Sequence, residues 1–162
     1  MEIKQLIENT IVEFVSDQND QFWLWFGDSV LIENGQPLIV YHGTDSKFSE
    51  FSRSKAKEGR IGKGFYFSTD QDEARVYGSI IIPCYLKIDN LFNGRTRESI
   101  GNGDNFGVEY ALTRDGGRVF LVDNPLQIKS VNNDGSWDAD DANIYSIYNI
   151  YFQNLLLRHQ HN

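Results

Sequence analysis

A single cysteine, Cys84, stands among the 162 residues. An intramolecular disulfide is therefore impossible and a zinc cage built on cysteines is excluded, which makes a cytoplasmic setting the expectation. Long apolar runs are missing as well. The stretch Ile80 to Leu86 falls far short of the roughly 20 residues that cross a bilayer, and the opening MEIKQLIENT has no basic-then-apolar pattern, so neither a membrane span nor secretory export is expected. Cations are scarce: 15 Lys and Arg against 23 Asp and Glu give a net charge of −8. That balance disfavours a generic nucleic-acid coat, whose affinity depends on clustered cations. Internal repeats and heptad arrays are absent too.

What is present is material for a core. Hydrophobic residues make up 40% of the chain and aromatics 14%, enough to pack one domain of ordinary size. Ile3, Leu6, Ile7, Ile11 and Phe14 recur at intervals of three and four, which predicts an amphipathic helix over Ile3 to Phe14 with one face turned inward. Phe22, Trp23, Trp25 and Phe26 crowd together before Gly27 and are expected to anchor the N-terminal segment to the body. After the turn Glu33-Asn34-Gly35, the run Pro37 to Gly43 reads as a buried strand ending at His42. Residues 45–63 read as a long polar loop, and Phe65-Tyr66-Phe67 as a strand. Thr69 or Asp70 can cap a helix through Tyr77, stopped by Gly78. Strands follow at 80–88, 107–113 and 118–123, the last two joined by the turn Arg114-Asp115-Gly116-Gly117. The Asp- and Asn-rich stretch Val131 to Asn143 reads as a surface loop, and Ile144, Ile147, Tyr148, Tyr151 and Leu155 return to helical spacing.

Three short pieces come in a suggestive order: Tyr41-His42-Gly43-Thr44, Gly62-Lys63-Gly64-Phe65-Tyr66-Phe67-Ser68, and Ala74-Arg75-Val76-Tyr77-Gly78. They resemble the first two motifs of the ADP-ribosyltransferase fold, in the branch similar to poly(ADP-ribose) polymerases and diphtheria toxin. The stretch Trp25 to Ile144, about three quarters of the chain, also resembles the ADP-ribosyltransferase modules of phage polyvalent proteins. The further matching pieces are Trp25-Phe26-Gly27-Asp28-Ser29, Gly35-Gln36-Pro37-Leu38 and Asn124-Pro125-Leu126-Gln127-Ile128-Lys129-Ser130. The resemblance implies an α+β fold: a split β-sheet sandwich with an N-terminal helix and a C-terminal helical extension, one domain over 1–162 with its core at about 25–144.

The resemblance also implies a chemistry. NAD would be the substrate, nicotinamide the leaving group, and a macromolecule, protein rather than nucleic acid, the acceptor. His42 would hydrogen-bond the adenosine ribose, and the Gly43 backbone would hold the nicotinamide carboxamide, an approach that a Cβ would obstruct. Tyr66 and Tyr77 would flank the nicotinamide ring, with Thr44 and Ser68 beside them in the same motifs. A serine that often stands three places before the second tyrosine is Ala74 here. Between the motifs lie Lys47, Arg53, Lys55, Lys57, Arg60 and Lys63 against Glu50 and Glu58, a local excess of four positive charges. Arg60 and Lys63 are accordingly expected near the NAD diphosphate. A phosphate loop is not the explanation of Gly62 and Gly64, since no Gly-Lys-Ser/Thr opens a helix there.

The third motif departs from the pattern. Relatives commonly carry a catalytic glutamate where the gapless match places Val119, so the triad reads His-Tyr-Val. Elongation of an ADP-ribose chain should then fail, while single transfer can survive, as in relatives with an apolar third residue, if the acceptor, a carboxylate for instance, supplies the missing charge. Glu109, on the preceding strand, is the expected substitute, with Asp115 in the turn a weaker one. The implied activity is a mono-ADP-ribosyltransferase, a phage or bacterial effector; the alternative is a catalytically silent NAD-binding or protein-interaction module. The RNA 2′-phosphotransferase branch normally has histidine where Tyr66 stands. No metal is assigned, although Asp138, Asp140 and Asp141 are close in sequence.

Overall fold

A computed structural model describes residues 2–94, 105–111, 116–133 and 135–145, without the side chains of 11–18. The elements are α1 (Ile3–Phe26), β1 (Ile32–Glu33), β2 (Gln36–Pro37), β3 (Val40–Thr44), β4 (Lys57–Gly59), β5 (Gly62–Ser68) and α2 (Gln71–Arg75). They continue with β6 (Ile80–Leu86), β7 (Asn90–Asn93), β8 (Phe106–Ala111), β9 (Arg118–Val122) and β10 (Ile128–Ser130). The α+β class is the one expected. Among the described residues no helix is long and apolar enough to cross a membrane.

The sheet runs β10-β6-β3-β5-β9-β8-β7, with β4 added to β5 outside that path. All its pairs are antiparallel except β7 with β8. The decisive feature lies in the middle. β3 is paired with β6 over its whole length, from Val40↔Cys84 to Thr44↔Ile80, yet it shares only the pair Tyr41↔Ser68 with β5. The sheet therefore parts between β3 and β5, the two strands that carry the first two motifs. Beneath it lie Val40, Phe65, Phe67, Ile82, Cys84, Leu86, Phe120, Val122 and Ile128. They come from β3, β10 and alternate positions of β5, β6 and β9, as a sheet with one face on the core requires.

The ends of the described chain interlock with this sheet. Phe22, Trp25 and Phe26 are buried with Tyr85 and Trp137 packed against them, the anchor that the aromatic crowding predicts. Trp25 Nε1 donates to the Leu126 carbonyl at 3.2 Å. Ser29 Oγ donates to the Leu86 carbonyl and accepts from the Ile88 amide. Gln127, also buried, donates to the carbonyls of Lys87 and Phe106. Lys129 is buried in the sheet and its ammonium donates to the carbonyls of Asp141 and Asn143, which folds the acidic 131–143 loop back onto β10. Burial lowers the Lys129 pKa, while the charges of Asp141 and Asp138 act in the opposite sense.

Several expectations need correction. The helix predicted over Ile3 to Phe14 continues to Phe26, so the aromatic anchor is its last two turns. Its first turns do not turn a face inward among the described residues: Ile3 is 78% exposed, and Leu6 and Ile7 are exposed as well. Strand β3 begins at Val40 and carries His42 in its interior, because Gln36-Pro37 instead pairs with Ile32-Glu33 as a short hairpin. The stretch 45–63 is not all loop, since Lys57–Gly59 pairs with Gly62–Gly64. Strands β7 and β10 were not anticipated. The turn at 114–117, apart from Gly116 and Gly117, and the predicted C-terminal helix beyond Tyr145 lie outside the described residues.

Candidate active site

Where β3 and β5 part, a cleft of about 740 Å³ opens, within the range of small-ligand sites. His42, Gly43, Thr44, Arg60, Tyr66, Ser68 and Tyr77 all line it. Three motifs separated in sequence are thus brought to one place by the divergence of two strands.

His42 bridges the gap. Its Nδ1 lies 2.8 Å from the Tyr66 carbonyl oxygen. A carbonyl only accepts, so Nδ1 carries the proton, and in the neutral ring Nε2 is left as an acceptor. The ring sits among aromatics, with centroids at 4.8 Å from Phe51, 5.4 Å from Phe67 and 6.2 Å from Phe48. That desolvation lowers its pKa below the ordinary value. The Tyr66 carbonyl opposes the shift, and the Lys57 cation adds to it. The site therefore holds a neutral imidazole whose free nitrogen suits a hydroxyl donor.

Tyr66 is tied to the hairpin formed by β4 and β5. Its hydroxyl donates to the Gly62 carbonyl, and its ring lies so close to Gly59 that a Cβ there would meet the phenol oxygen at 2.3 Å. The ring also packs against Ile61, Val108 and Leu121. Burial raises its pKa. The Tyr66 hydroxyl feels the charge of Glu58 and the neighbouring phenol of Tyr77, which places all three at the same part of the cleft. Tyr77 differs in being 54% exposed.

Tyr77 is delivered by α2. Asp70 caps this helix by accepting from the Asp72 amide at 2.9 Å, and Ser68 Oγ accepts from the Asp70 amide at 3.0 Å. The Ser68 hydroxyl keeps its own proton to donate. After the helix, the Ser79 amide donates to Asp45 Oδ1 at 3.0 Å, which fastens the chain beyond Tyr77 to the end of β3. Thr44 Oγ1 accepts from the Ser46 amide, so its hydroxyl shapes the loop at the cleft wall. Gly43 has a role the sequence did not suggest. A Cβ there would lie 1.7 Å from the Ala74 carbonyl oxygen, so its lack of side chain is what lets α2 settle on β3.

Two expected residues are elsewhere. Glu109 is set opposite Phe120 in the β8–β9 register and is ion-paired with Arg118, whereas its neighbour Tyr110 faces Val119 and lines the cleft. Strand alternation turns Glu109 away from the cleft, contrary to its expected place there. Lys63 is exposed and outside the lining, out of phase with Gly64 and Tyr66 on β5. The local excess of positive charge is also moderated: Lys47, Lys55, Lys57 and Arg60 line the cleft together with Asp45, Glu50, Glu58 and Glu73. Among the described residues no group of His, Cys, Asp and Glu is arranged to hold a metal ion.

Tyr110 and Phe51 were missed. Phe51 is a plain aromatic in a polar stretch. Tyr110 sits one place from Glu109, and only the register against β9 reveals which of the two enters the cleft. Val119 lies on the cleft wall, paired with Ser68 of β5 on one side and Tyr110 of β8 on the other.

A large mixed sheet with few helices, parted between the strands of the His-Gly and Gly-Lys-Gly motifs, fits an ADP-ribosyltransferase-like fold. Residues 33–107 match the family described as ADP-Ribosyltransferase in polyvalent proteins, the family that the motifs resemble. The match takes in His42, Tyr66 and Tyr77, while Val119 and the pieces at 25–29 and 124–130 lie beyond it. It supports ADP-ribosyl transfer as the general chemistry of the segment. No curated protein matches the chain.

Proposed function

We propose that the cleft binds NAD⁺ and transfers a single ADP-ribosyl group to a macromolecular acceptor, with release of nicotinamide. The observation that carries this reading is the convergence of His42, Tyr66 and Tyr77 on one cleft, from segments matching an ADP-ribosyltransferase family. His42 Nε2 accepts from a ribose hydroxyl, since Nδ1 is held by the Tyr66 carbonyl. Tyr66 and Tyr77 provide flat apolar surface for the nicotinamide ring, and the Ser68 hydroxyl donates to the carboxamide or ribose between them. Lys55 and Lys57 face the diphosphate. As the glycosidic C–N bond stretches, the pyridinium withdraws its bonding pair and leaves as neutral nicotinamide, while the ribose acquires oxocarbenium character that an incoming nucleophile quenches. The acceptor is a protein rather than a nucleic acid, in keeping with the net charge of −8. A bacterial effector acting in the cytoplasm, phage-encoded in origin, is the biological setting of this reading.

A second reading has its own observation. Val119 is a valine on the cleft wall, and the resemblance sets it where relatives commonly hold a glutamate, which favours a module that binds NAD⁺ without turning it over. Incubation with labelled NAD⁺ and bacterial lysate separates the two. Transfer predicts a labelled macromolecule and free nicotinamide, both abolished by His42→Ala; a silent module predicts calorimetric NAD⁺ binding with no nicotinamide released. Absence of both binding and release would overturn either reading.

A further inference from the structure

The part of the cleft wall that carries Phe48, Glu50 and Phe51 belongs to no strand of the main sheet. It is held instead by residues 143–144. The Ile144 amide donates to the Ser49 carbonyl at 2.8 Å, and Glu50 pairs with Asn143 as an isolated antiparallel bridge. The Ile144 carbonyl in turn accepts from the Ser130 amide of β10 at 3.0 Å and from Asn133 Nδ2 at 3.0 Å. Residues 143–144 are thus a rung between β10 and the cleft wall. Lys129 sets that rung: the residue is only 1% exposed, and its ammonium donates to the carbonyls of Asp141 and Asn143, the latter at 3.3 Å. The Asn143 carbonyl and the Ile144 amide are the two ends of one planar peptide group. A cation on the oxygen therefore fixes the plane that aims the amide at Ser49, and polarises the group in the sense that strengthens that second bond. From Ser49 the chain leads directly to the site. Phe51 is buried, with its ring centroid 4.8 Å from His42 and 4.9 Å from Phe48, in the same core cluster as Ile144.

We propose that Lys129 is a positioning residue of the NAD⁺ site: through the 143–144 peptide it holds the Phe48–Phe51 wall against His42. This rests on the NAD⁺ reading above and gives a task at the cleft to a residue that does not line it. Among the described residues Lys129 is the one charged side chain in the buried set, beside the neutral Ser29, Ser68, Gln127 and Ser130. A buried ammonium is costly to keep, and a neutral donor would serve a fold that needed only a hydrogen bond. What the charge adds is a stiffer rung, since a charge-assisted bond resists opening more than a neutral one. A wall held firmly keeps the imidazole desolvated between Phe48 and Phe51, and so keeps it in the neutral form that accepts from a ribose hydroxyl. If the rung loosens, water reaches the ring and the acceptor is lost to protonation at a higher pH.

The test uses the full chain and three variants. Lys129→Met keeps the length of the side chain and removes the donor. Asp141→Ala is milder: it leaves Lys129 in place and removes the carboxylate that accepts from the Asn143 amide at 3.0 Å. Ser29→Ala, off the cleft, is the control for a loss of stability alone. Thermal melting confirms folding, calorimetry reads NAD⁺ affinity, and imidazole NMR reads the His42 titration without ligand. Lys129→Met should weaken NAD⁺ binding about fivefold and move the His42 midpoint up by at least about 0.3 pH units, toward 6.5. Asp141→Ala should do both to a smaller extent, about twofold in affinity, and Ser29→Ala neither. If Lys129→Met and Asp141→Ala melt earlier yet keep the wild-type affinity and the wild-type His42 midpoint, Lys129 serves the fold alone and the proposal is overturned. Should Lys129→Met not fold, Asp141→Ala decides by the same two readings. Failure of the wild type to bind NAD⁺ would sink the reading of the cleft but not this test: the His42 midpoint needs no ligand, and a rise supports the hold of Lys129 on the wall while an unchanged value removes it.

Discussion

His42 Nδ1 donates to the Tyr66 carbonyl oxygen at 2.8 Å, across the place where β3 and β5 part. One hydrogen bond thus closes the sheet where its ladder stops, fixes the tautomer of the imidazole and leaves Nε2 as an acceptor on a residue that lines the cleft. Neutral His42 is the competent form. Protonating Nε2 turns an acceptor into a donor, and desolvation among Phe48, Phe51 and Phe67 places that event below the ordinary histidine pKa.

NAD⁺ affinity should accordingly hold at neutral pH and fall only below the usual titration of an exposed histidine, near pH 6.5. Stability has the same sign. The unfolded chain takes up its proton near that pH and the folded chain at a lower one, so the contribution of neutral His42 is complete above about pH 6.5 and is lost as pH falls toward the depressed folded value. Calorimetric titration with NAD⁺ from pH 5 to 8 checks the first statement, with His42→Gln expected to bind weakly and to lack the acidic step. Imidazole NMR shifts locate the titration itself.

Tyr66 and Tyr77 should separate when truncated. Tyr77 is mostly exposed, so Tyr77→Ala should leave the melting temperature nearly unchanged and weaken NAD⁺ binding about tenfold, the equivalent of about 1.4 kcal/mol. Tyr66→Ala removes the ring packed on Gly59, Ile61, Val108 and Leu121 and the bond to Gly62, and should cost about 2–4 kcal/mol of stability as well. Tyr66→Phe keeps the stacking face and loses only the tie to the hairpin. Normal NAD⁺ binding by folded Tyr77→Ala would remove Tyr77 from the ring clamp.

The motifs were legible because each is local. His42-Gly43, Gly62 to Ser68 and the Asp70-capped segment to Tyr77 can be read as short runs, and all three meet at the cleft. What could not be read is whatever depends on register. Glu109 and Tyr110 are adjacent, and only the pairing Tyr110↔Val119 decides which faces the cleft. The hairpin strand β4 was hidden because Lys57-Glu58-Gly59 has no apolar alternation; its pairing with β5 and the packing of Ile61 and Tyr66 hold it there. The resemblance at 25–29 and 124–130 turned out to mark scaffold. Trp25 reaches Leu126, while Ser29 and Gln127 grip neighbouring positions of the chain between Leu86 and Ile88.

Gly43 supplies a test of how Tyr77 is held. A methyl group at this position would meet the backbone of Ala74, which has no flexible end to swing aside. Gly43→Ala should displace α2 from β3, lower stability by about 1–3 kcal/mol, and weaken NAD⁺ binding more than that loss alone explains. Denaturant unfolding paired with NAD⁺ titration of the folded protein reads both quantities. A stable variant with unaltered affinity would show that α2 does not need this close approach.

Ser29 and Gln127 give the opposite pattern. Each is buried with its polar group spent on backbone partners, and neither lines the cleft. Ser29→Ala should destabilise by about 1–3 kcal/mol, because it orphans the Ile88 amide and the Leu86 carbonyl, and Gln127→Ala should do at least as much. NAD⁺ affinity of the folded fraction should stay within about twofold. An affinity loss in either variant without a stability loss would assign these residues to the site after all.

Val119→Glu asks what the missing carboxylate would do. The position is only half-buried on the cleft wall, between Ser68 and Tyr110, with the Arg60 guanidinium above the Tyr110 ring. A glutamate introduced there has a cation within reach and open cleft in front of it, so the cost to stability should be small, about 1 kcal/mol or less. Its effect on chemistry should be larger. A carboxylate at this wall can accept a hydrogen bond from the nicotinamide-side ribose and take the proton of an attacking water or hydroxyl, two kinds of assistance that valine lacks. General-base assistance alone is commonly worth about 10²–10⁴-fold. Nicotinamide release into water should therefore rise at least tenfold in Val119→Glu, while Val119→Gln, equal in size but unable to take a proton, should not reproduce it. Equal nicotinamide release by wild type, Val119→Glu and Val119→Gln would mean that the reacting carbon does not lie at this end of the cleft.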